Sequence, residues 1–193
     1  MQAVDTAGNV ASSSAALTVD RAVPAAPDVA TTRWQVVGDN ASVQPATQLA
    51  RATSLADTTR GVVLAPQATT PADNDIALIT VDATSAQPLT DQWRLGGAVW
   101  SMNTPLNTTM LALGSGSSAF TLTYAYDTTQ QRLRIQPASN NVFTASQVQQ
   151  VLNELAWVNT ASDQTLAQSD RVFTLQYTDG FGNVSDARSV TIK

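Results

Sequence analysis

Phe120-Thr-Leu-Thr-Tyr-Ala-Tyr126, then Asp127-Thr-Thr-Gln-Gln131, then Arg132-Leu-Arg-Ile-Gln136, is the stretch that decides the fold. Phe120, Leu122, Tyr124 and Tyr126 fall on one face, with Thr121, Thr123 and Ala125 opposite. Beyond the polar turn, Leu133 and Ile135 alternate with Arg132, Arg134 and Gln136. Successive residues of an extended chain point to opposite sides of a sheet, so this is a hairpin with one face buried and one wet. One-sided burial marks antiparallel sheets of the kind that pair into sandwiches.

The same alternation recurs on both sides. Ile76 to Val81 reads as a strand. Gln92 to Leu95 and Ala98 to Trp100 read as two more, separated by Gly96-Gly97. Thr109 to Leu113 ends at the glycine–serine turn from Gly114 to Ser118. A last hairpin places Phe173, Leu175 and Tyr177 inward, turns from Asp179 to Asn183, and returns with Val190 and Ile192 inward. Between Thr31 and Pro71 the pattern is weaker: Val36-Val37 and Val62-Val63-Leu64 are strand candidates, and Gly38-Asp39-Asn40 is a turn signal.

One helix interrupts the strands. Thr144 and Gln147 have capping-box spacing, and Phe143 and Val148 stand where a hydrophobic staple would close the first turn. Val148, Val151, Leu152 and Leu155 then form one apolar stripe, with Glu154 off it. The expectation is a mainly β fold, an antiparallel β-sandwich with one short helix at about 145–156 as a packed crossover. Trp157-Val158 is expected to lead into a polar loop, Asn159 to Asp170.

Composition narrows the chemistry. The 193 residues are 43% hydrophobic but only 13% charged, so the surface must be mostly Ser, Thr, Asn and Gln, as in many secreted β-rich modules. Glu154 is the only glutamate and Lys193 the only lysine. Aspartate prefers turns and caps, where its short carboxylate accepts from nearby backbone N–H groups, which suits strands and turns. A net charge of −5 argues against nucleic acid as a partner. No apolar run approaches the ~20 residues of a membrane span. Cysteine and histidine are absent, which removes disulfides, zinc and haem sites, and Cys–His or Ser–His nucleophilic catalysis. Paired aspartates are the acid–base chemistry left, and no Asp-Thr-Gly or Asp-Ser-Gly occurs. Gly114-Ser-Gly-Ser117 lacks the lysine of a phosphate loop. An enzyme is not expected.

A six-residue pattern occurs twice, as Asp5-Thr-Ala-Gly-Asn-Val10 and as Asp179-Gly-Phe-Gly-Asn-Val184. Each copy is followed by a short alternating run, Ala16 to Val19 and Ser189 to Ile192. A domain does not begin with its own closing hairpin, so the expected organisation is tandem. Residues 1–23 would be the C-terminal hairpin of a preceding module and 24–30 a linker stiffened by Pro24 and Pro27. Residues 31–193 would be a β-sandwich module, with 31–72 as an N-terminal subregion of it or a separate insertion.

Asp5 to Val10 followed by Ala16-Leu-Thr-Val-Asp-Arg-Ala-Val-Pro-Ala-Ala-Pro27 resembles the closing hairpin and linker of bacterial immunoglobulin-like (Ig-like) repeats in giant surface adhesins. Asp73 to Lys193 is similar to the cadherin-like, helix-containing repeats of the same proteins, including biofilm-associated and RTX-type adhesins. The features that carry the second likeness are Asp73-Asn-Asp75, Val148 to Leu155, Trp157-Val-Asn159 and Arg171 to Gly182. Residues 29 to 72 match neither pattern. The resemblance implies an extracellular stalk module at the bacterial cell surface, with neighbouring modules of the same chain as partners. Other parts of the whole protein would reach a glycan, host or biofilm surface.

The resemblance also implies structural Ca²⁺ at module junctions, with Asp5, Asp20, Asp28 and Asp179 as candidate ligands. Short carboxylates with nearby carbonyls can supply the six to eight oxygens Ca²⁺ takes. The alternative is that Asp5 and Asp179 only bind their own turn N–H groups. For Asp73 and Asp75 the turn role is the stronger reading, and no EF-hand loop is present. Trp93, Trp100 and Trp157 sit in apolar strands or at the helix end, where core packing is the usual fate. Trp34, with polar neighbours, is the candidate for stacking on a sugar. A glycan- or protein-binding module, or the accessory module of a large secreted hydrolase, therefore remains as an alternative function.

Overall fold

The structure is a computed structural model. It describes residues 22–27, 75–86, 89–139, 142–159 and 170–192 in full, and 2–4, 10–12, 32–33 and 62–63 through their strand pairing. The alternating stretch 120–136 forms strands β9 (Phe120–Asp127) and β10 (Arg132–Pro137), in register from Arg132 opposite Asp127 to Pro137 opposite Leu122. Leu122, Tyr124, Tyr126, Leu133 and Ile135 are buried, as the alternation requires.

Around this hairpin the described strands make two large sheets. The first adds β3 (Thr32–Arg33), β5 (Ile76–Asp82), β8 (Leu106–Leu113), β12 (Arg171–Asp179) and β13 (Arg188–Ile192), in the order β3-β13-β12-β5-β10-β9-β8. The second holds β4 (Val62–Val63), β6 (Asp91–Leu95), β7 (Ala98–Ser101) and β11 (Leu155–Asn159), in the order β4-β11-β6-β7. Both sheets send side chains into one core: Ile79, Val81, Leu133, Phe173, Leu175, Tyr177, Val190 and Ile192 from the first, Trp93, Leu95, Leu155 and Trp157 from the second. The Trp93 ring lies edge-on to Phe173 at 5.3 Å and to Tyr126 at 6.3 Å, which ties the layers together. The fold is thus mainly β, a two-sheet sandwich of antiparallel pairs with a parallel β3–β13 contact at one edge.

A β-bulge fits β5 to its neighbour. The β5–β12 pairing steps from Leu78 opposite Thr178 to Ile76 opposite Asp179, which leaves Ala77 as the extra residue. Strict alternation from Ile79 would turn Ile76 outward; the bulge returns it to the core, where it is fully buried.

The helix α1 (Ala145–Glu154) joins β10 of the first sheet to β11 of the second. Its capping box is complete: Gln147 N–H donates to Thr144 Oγ1 at 3.3 Å and Thr144 N–H to Gln147 Oε1 at 2.9 Å. Phe143, Val148, Val151 and Leu152 are buried in the shared core, so the helix is the packed crossover. It stops earlier than expected. Leu155 has extended backbone (φ −80, ψ 116), and Leu155–Asn159 pairs with β6 as strand β11. Asn159, expected to open the polar loop Asn159 to Asp170, is instead the last residue of this strand, and 160–169 lie outside the described residues. Leu155 and Trp157 keep core positions through strand alternation.

β1 (Gln2–Val4) and β2 (Val10–Ser12) form a two-stranded sheet of their own, with no strand pairing to either large sheet. The stretch 31–72 gives β3 to the first large sheet and β4 to the second. In the expected linker, Pro24 and Pro27 are buried while Val23 and Ala25 are exposed, so the prolines pack rather than span open solvent. β3 runs parallel to β13, with Thr32 opposite Thr191 and Arg33 opposite Ile192. Both strands therefore run away from the sandwich pole that carries the β12–β13 connection, and Ile192 ends at the opposite pole.

Candidate functional site

Of the proposed Ca²⁺ ligands, Asp5, Asp20 and Asp28 lie outside the described residues, as do Trp34, Asp73 and the strand candidate Val36-Val37. Asp179 is described and only 3% exposed, covered by its own turn. Its Oδ1 accepts from the N–H groups of Phe181 and Asn183, each at 2.8 Å, and its Oδ2 accepts from Asn183 Nδ2 at 2.7 Å. Burial works to raise its pKa. Hydrogen bonds from the Asn183 side chain and from the backbone of Asn183, Phe181 and Gly182 outweigh it and hold the carboxyl below the ordinary aspartate value. The residue thus performs the turn-binding role that stood as the alternative to a metal ligand. Asp75 meets the same turn through its backbone, its carbonyl accepting from Gly180 N–H at 2.8 Å.

The rest of this pole is built from the same chain segment. Ser185 Oγ accepts from Tyr177 N–H at 2.9 Å, and Ser185 N–H donates to Tyr177 O at 2.9 Å. The tip is apolar and open, with Phe181 66% and Val184 50% exposed.

A second polar group lies inside the sandwich. Arg171 opens the inward row of β12 and Asp91 opens that of β6, and both are fully buried. Arg171 Nε donates to Asp91 Oδ2 at 2.6 Å, and Asn159 Nδ2 donates to Asp91 Oδ1 at 2.8 Å and to Thr90 Oγ1 at 3.3 Å. The guanidinium also sits 5.7 Å from the Trp157 ring centroid. This cluster links β12 of one sheet to β6 and β11 of the other. A buried carboxylate held by a guanidinium and an amide has its acceptor capacity engaged in structure, which suits fixing the two layers in register. Sequence reasoning missed it, yet the signal was present: Arg171 has the parity of Phe173 and Leu175, and Asp91 that of Trp93 and Leu95.

The tryptophans form a row. Trp157 pairs with Trp93 across β11 and β6, and Trp93 with Trp100 across β6 and β7. Trp93 and Trp157 are buried, and Trp100 lies against Tyr124 with ring centroids 4.7 Å apart. They are core residues, as expected, rather than a sugar platform. Among the described residues the indole N–H groups of all three and the Tyr126 hydroxyl make no hydrogen bond of normal geometry. Burial pushes the Tyr126 hydroxyl up to about 12; the nearby Trp93 indole offsets this and the Asp91 and Asp127 carboxylates add to it.

On the outer face of the first sheet a groove of about 490 Å³ runs beside β8, lined by Asn107, Thr108, Ala125, Arg132 and Arg134 among others. Arg132 is committed to Asp82, through Nε to Oδ1 at 2.6 Å and Nη2 to Oδ2 at 3.0 Å. Among the described residues no three His, Cys, Asp or Glu side chains gather as a metal cluster, and no helix is long and apolar enough to cross a membrane. No family model matches the chain, and comparison with curated proteins and with solved structures found no match.

Proposed function

We propose that the chain is a structural spacer from a large bacterial extracellular adhesin: the closing hairpin of one Ig-like module followed by a cadherin-like sandwich, repeated in tandem as a stalk. The observation that carries this reading is the repeated turn. Its two copies are closed by equivalent pairs: Val4 opposite Val10 in the first, Thr178 opposite Val184 in the second. In each, the residue before the aspartate faces the valine after the asparagine. The first copy belongs to a separate two-stranded sheet, as the edge of another bead would. The chain enters along β3 from the pole of the β12–β13 connection and leaves along the parallel β13 at the other pole, which also supports a string of beads, since a module traversed from pole to pole adds its length to the array.

Junction Ca²⁺ is part of the proposal, held by Asp5, Asp20 and Asp28, with Asp179 the weakest contributor because its carboxylate already binds its own turn. The reading carries no catalytic role. The glycan-binding alternative wants an exposed aromatic cluster, and the described tryptophans and tyrosines do not supply one: they line the core.

Two measurements test the reading. Removing residues 1–23 should leave the melting temperature of the sandwich within about 2 °C of the parent, a shift worth less than about 1 kcal/mol for a domain of this size. A fall of 10 °C or more (roughly 3 kcal/mol) would make the first hairpin part of the same folding unit and end the tandem reading. Calcium should raise the melting temperature where magnesium does not, with EDTA reversing it; no response removes the ion while leaving the spacer.

A further inference from the structure

Among the described residues four strands stand at sheet edges, and three are short: β3 and β4 have two residues each and β7 has four. The fourth, β8, runs for eight residues, Leu106–Leu113, and among the described residues pairs with β9 alone. Proteins usually block long edges with charge, proline or a bulge, because a row of unpaired N–H and C=O groups recruits another strand. β8 has a bulge only at its start, where pairing steps from Leu106 opposite Tyr126 to Thr109 opposite Tyr124. The straight run Thr109–Leu113 has no charge and no proline. Met110 stands on it 68% exposed, and Ala112 beside it is exposed too.

The charge distribution singles out this side of the molecule. No Asp, Glu, Lys or Arg occurs from Leu95 to Tyr126, a segment that contains β7, β8 and nearly all of β9. The chain as a whole carries −5, so two copies repel through most approaches, whereas the edge strand brings no charged side chain of its own; the nearest, Asp127, Arg132 and Arg134, line the groove beside its start.

We propose that the β8 edge is a homotypic contact: the β8 strands of two copies pair antiparallel about a two-fold axis near Leu111, joining their first sheets into one. In this register Met110 of each copy covers the second copy's Ala112, a large residue against a small one, and Thr109 faces the second copy's Leu113. A five-residue ladder buries less than a standard interface, so the contact is weak in free solution. It becomes effective where many copies are held together at high local concentration, as on a crowded surface.

The test is sedimentation of the full chain over roughly a hundred-fold range of concentration, where mass action should shift the average from monomer towards dimer. Met110→Lys, at an exposed position that leaves the fold intact by melting temperature, should remove the concentration dependence. The chain has no cysteine, so single substitutions report register. Met110→Cys and Ala112→Cys chains, mixed and oxidised, should give a disulfide dimer. Either variant alone should not, because like positions lie beyond the ~7 Å Cα reach of a disulfide. A parent that stays monomeric throughout, a lysine variant that associates like the parent, or single variants that cross-link as fast as the mixture would each overturn the proposal.

Discussion

Replacing Asp91 by alanine tests whether a buried ion pair holds the two sheets in register. The Arg171 and Asp91 side chains meet at 2.6 Å with exposures of 1% and 0%. Removing the carboxylate takes the ion-pair partner from a buried guanidinium, a loss of about 3–5 kcal/mol. Asn159 also loses the acceptor 2.8 Å from its Nδ2. For a chain of this size, 1 kcal/mol corresponds to about 2–4 °C, so Asp91→Ala is expected to melt roughly 6–20 °C below the parent. The comparison is within the same molecule. Arg132 and Asp82 meet at the same 2.6 Å, but with side-chain exposures of 39% and 20%. Solvent screens that pair, and Asp82→Ala is expected to lose only about 0–1 kcal/mol. Urea unfolding of both variants gives the two values directly. The double variant Asp91→Ala/Arg171→Met removes both charges and should recover part of the single variant's loss. Equal destabilisation by Asp91→Ala and Asp82→Ala would refute the argument that burial, rather than distance, sets what each pair is worth.

Asp179 gives a pH prediction. Its folded pKa is lowered, so its contribution is fully present above the unfolded value of about 4 and is lost as pH falls through the lower folded value. The urea midpoint of the parent should therefore fall between about pH 4 and pH 2 by more than that of Asp179→Asn. Gly114→Ala should be more damaging than Gly182→Ala. Both have positive φ, +81 and +89, but a Cβ at 114 would lie 2.8 Å from the Ser118 carbonyl oxygen, whereas at 182 it meets open space. Backbone strain alone is worth about 1–3 kcal/mol, so Gly182→Ala should stay in that range and Gly114→Ala exceed it in thermal unfolding. Thr144→Ala removes the oxygen that accepts from Gln147 N–H and should lower stability by about 1 kcal/mol, with Thr144→Ser restoring most of it.

Strands such as β6, β9, β10 and β12 were legible because each buries one face, so parity alone separates Leu133 and Ile135 from Arg132 and Arg134. The helix start was legible because a capping box is a local device that needs no knowledge of the rest of the fold. Its end was not. Leu155 satisfies the helical stripe and the strand alternation equally well, and pairing with β6, a long-range event, settles it as strand. The bulge at Ala77 was likewise invisible, since nothing in Ile76-Ala-Leu-Ile marks an extra residue until β12 lies beside it. The buried Arg171–Asp91 pair was readable by parity but contradicts the habit of placing charges outside. Asp179 was legible as a turn residue, because an aspartate ahead of Gly-Phe-Gly-Asn has backbone N–H groups within reach.

The parallel run of β3 beside β13 has a mechanical consequence. Tension applied at Thr32 and at Ile192 loads the two strands lengthwise against each other, so their hydrogen bonds share a shearing force instead of opening one at a time like a zip. In the spacer role proposed above, such a clasp, though only two residues long, would resist tension best along the line joining its two ends.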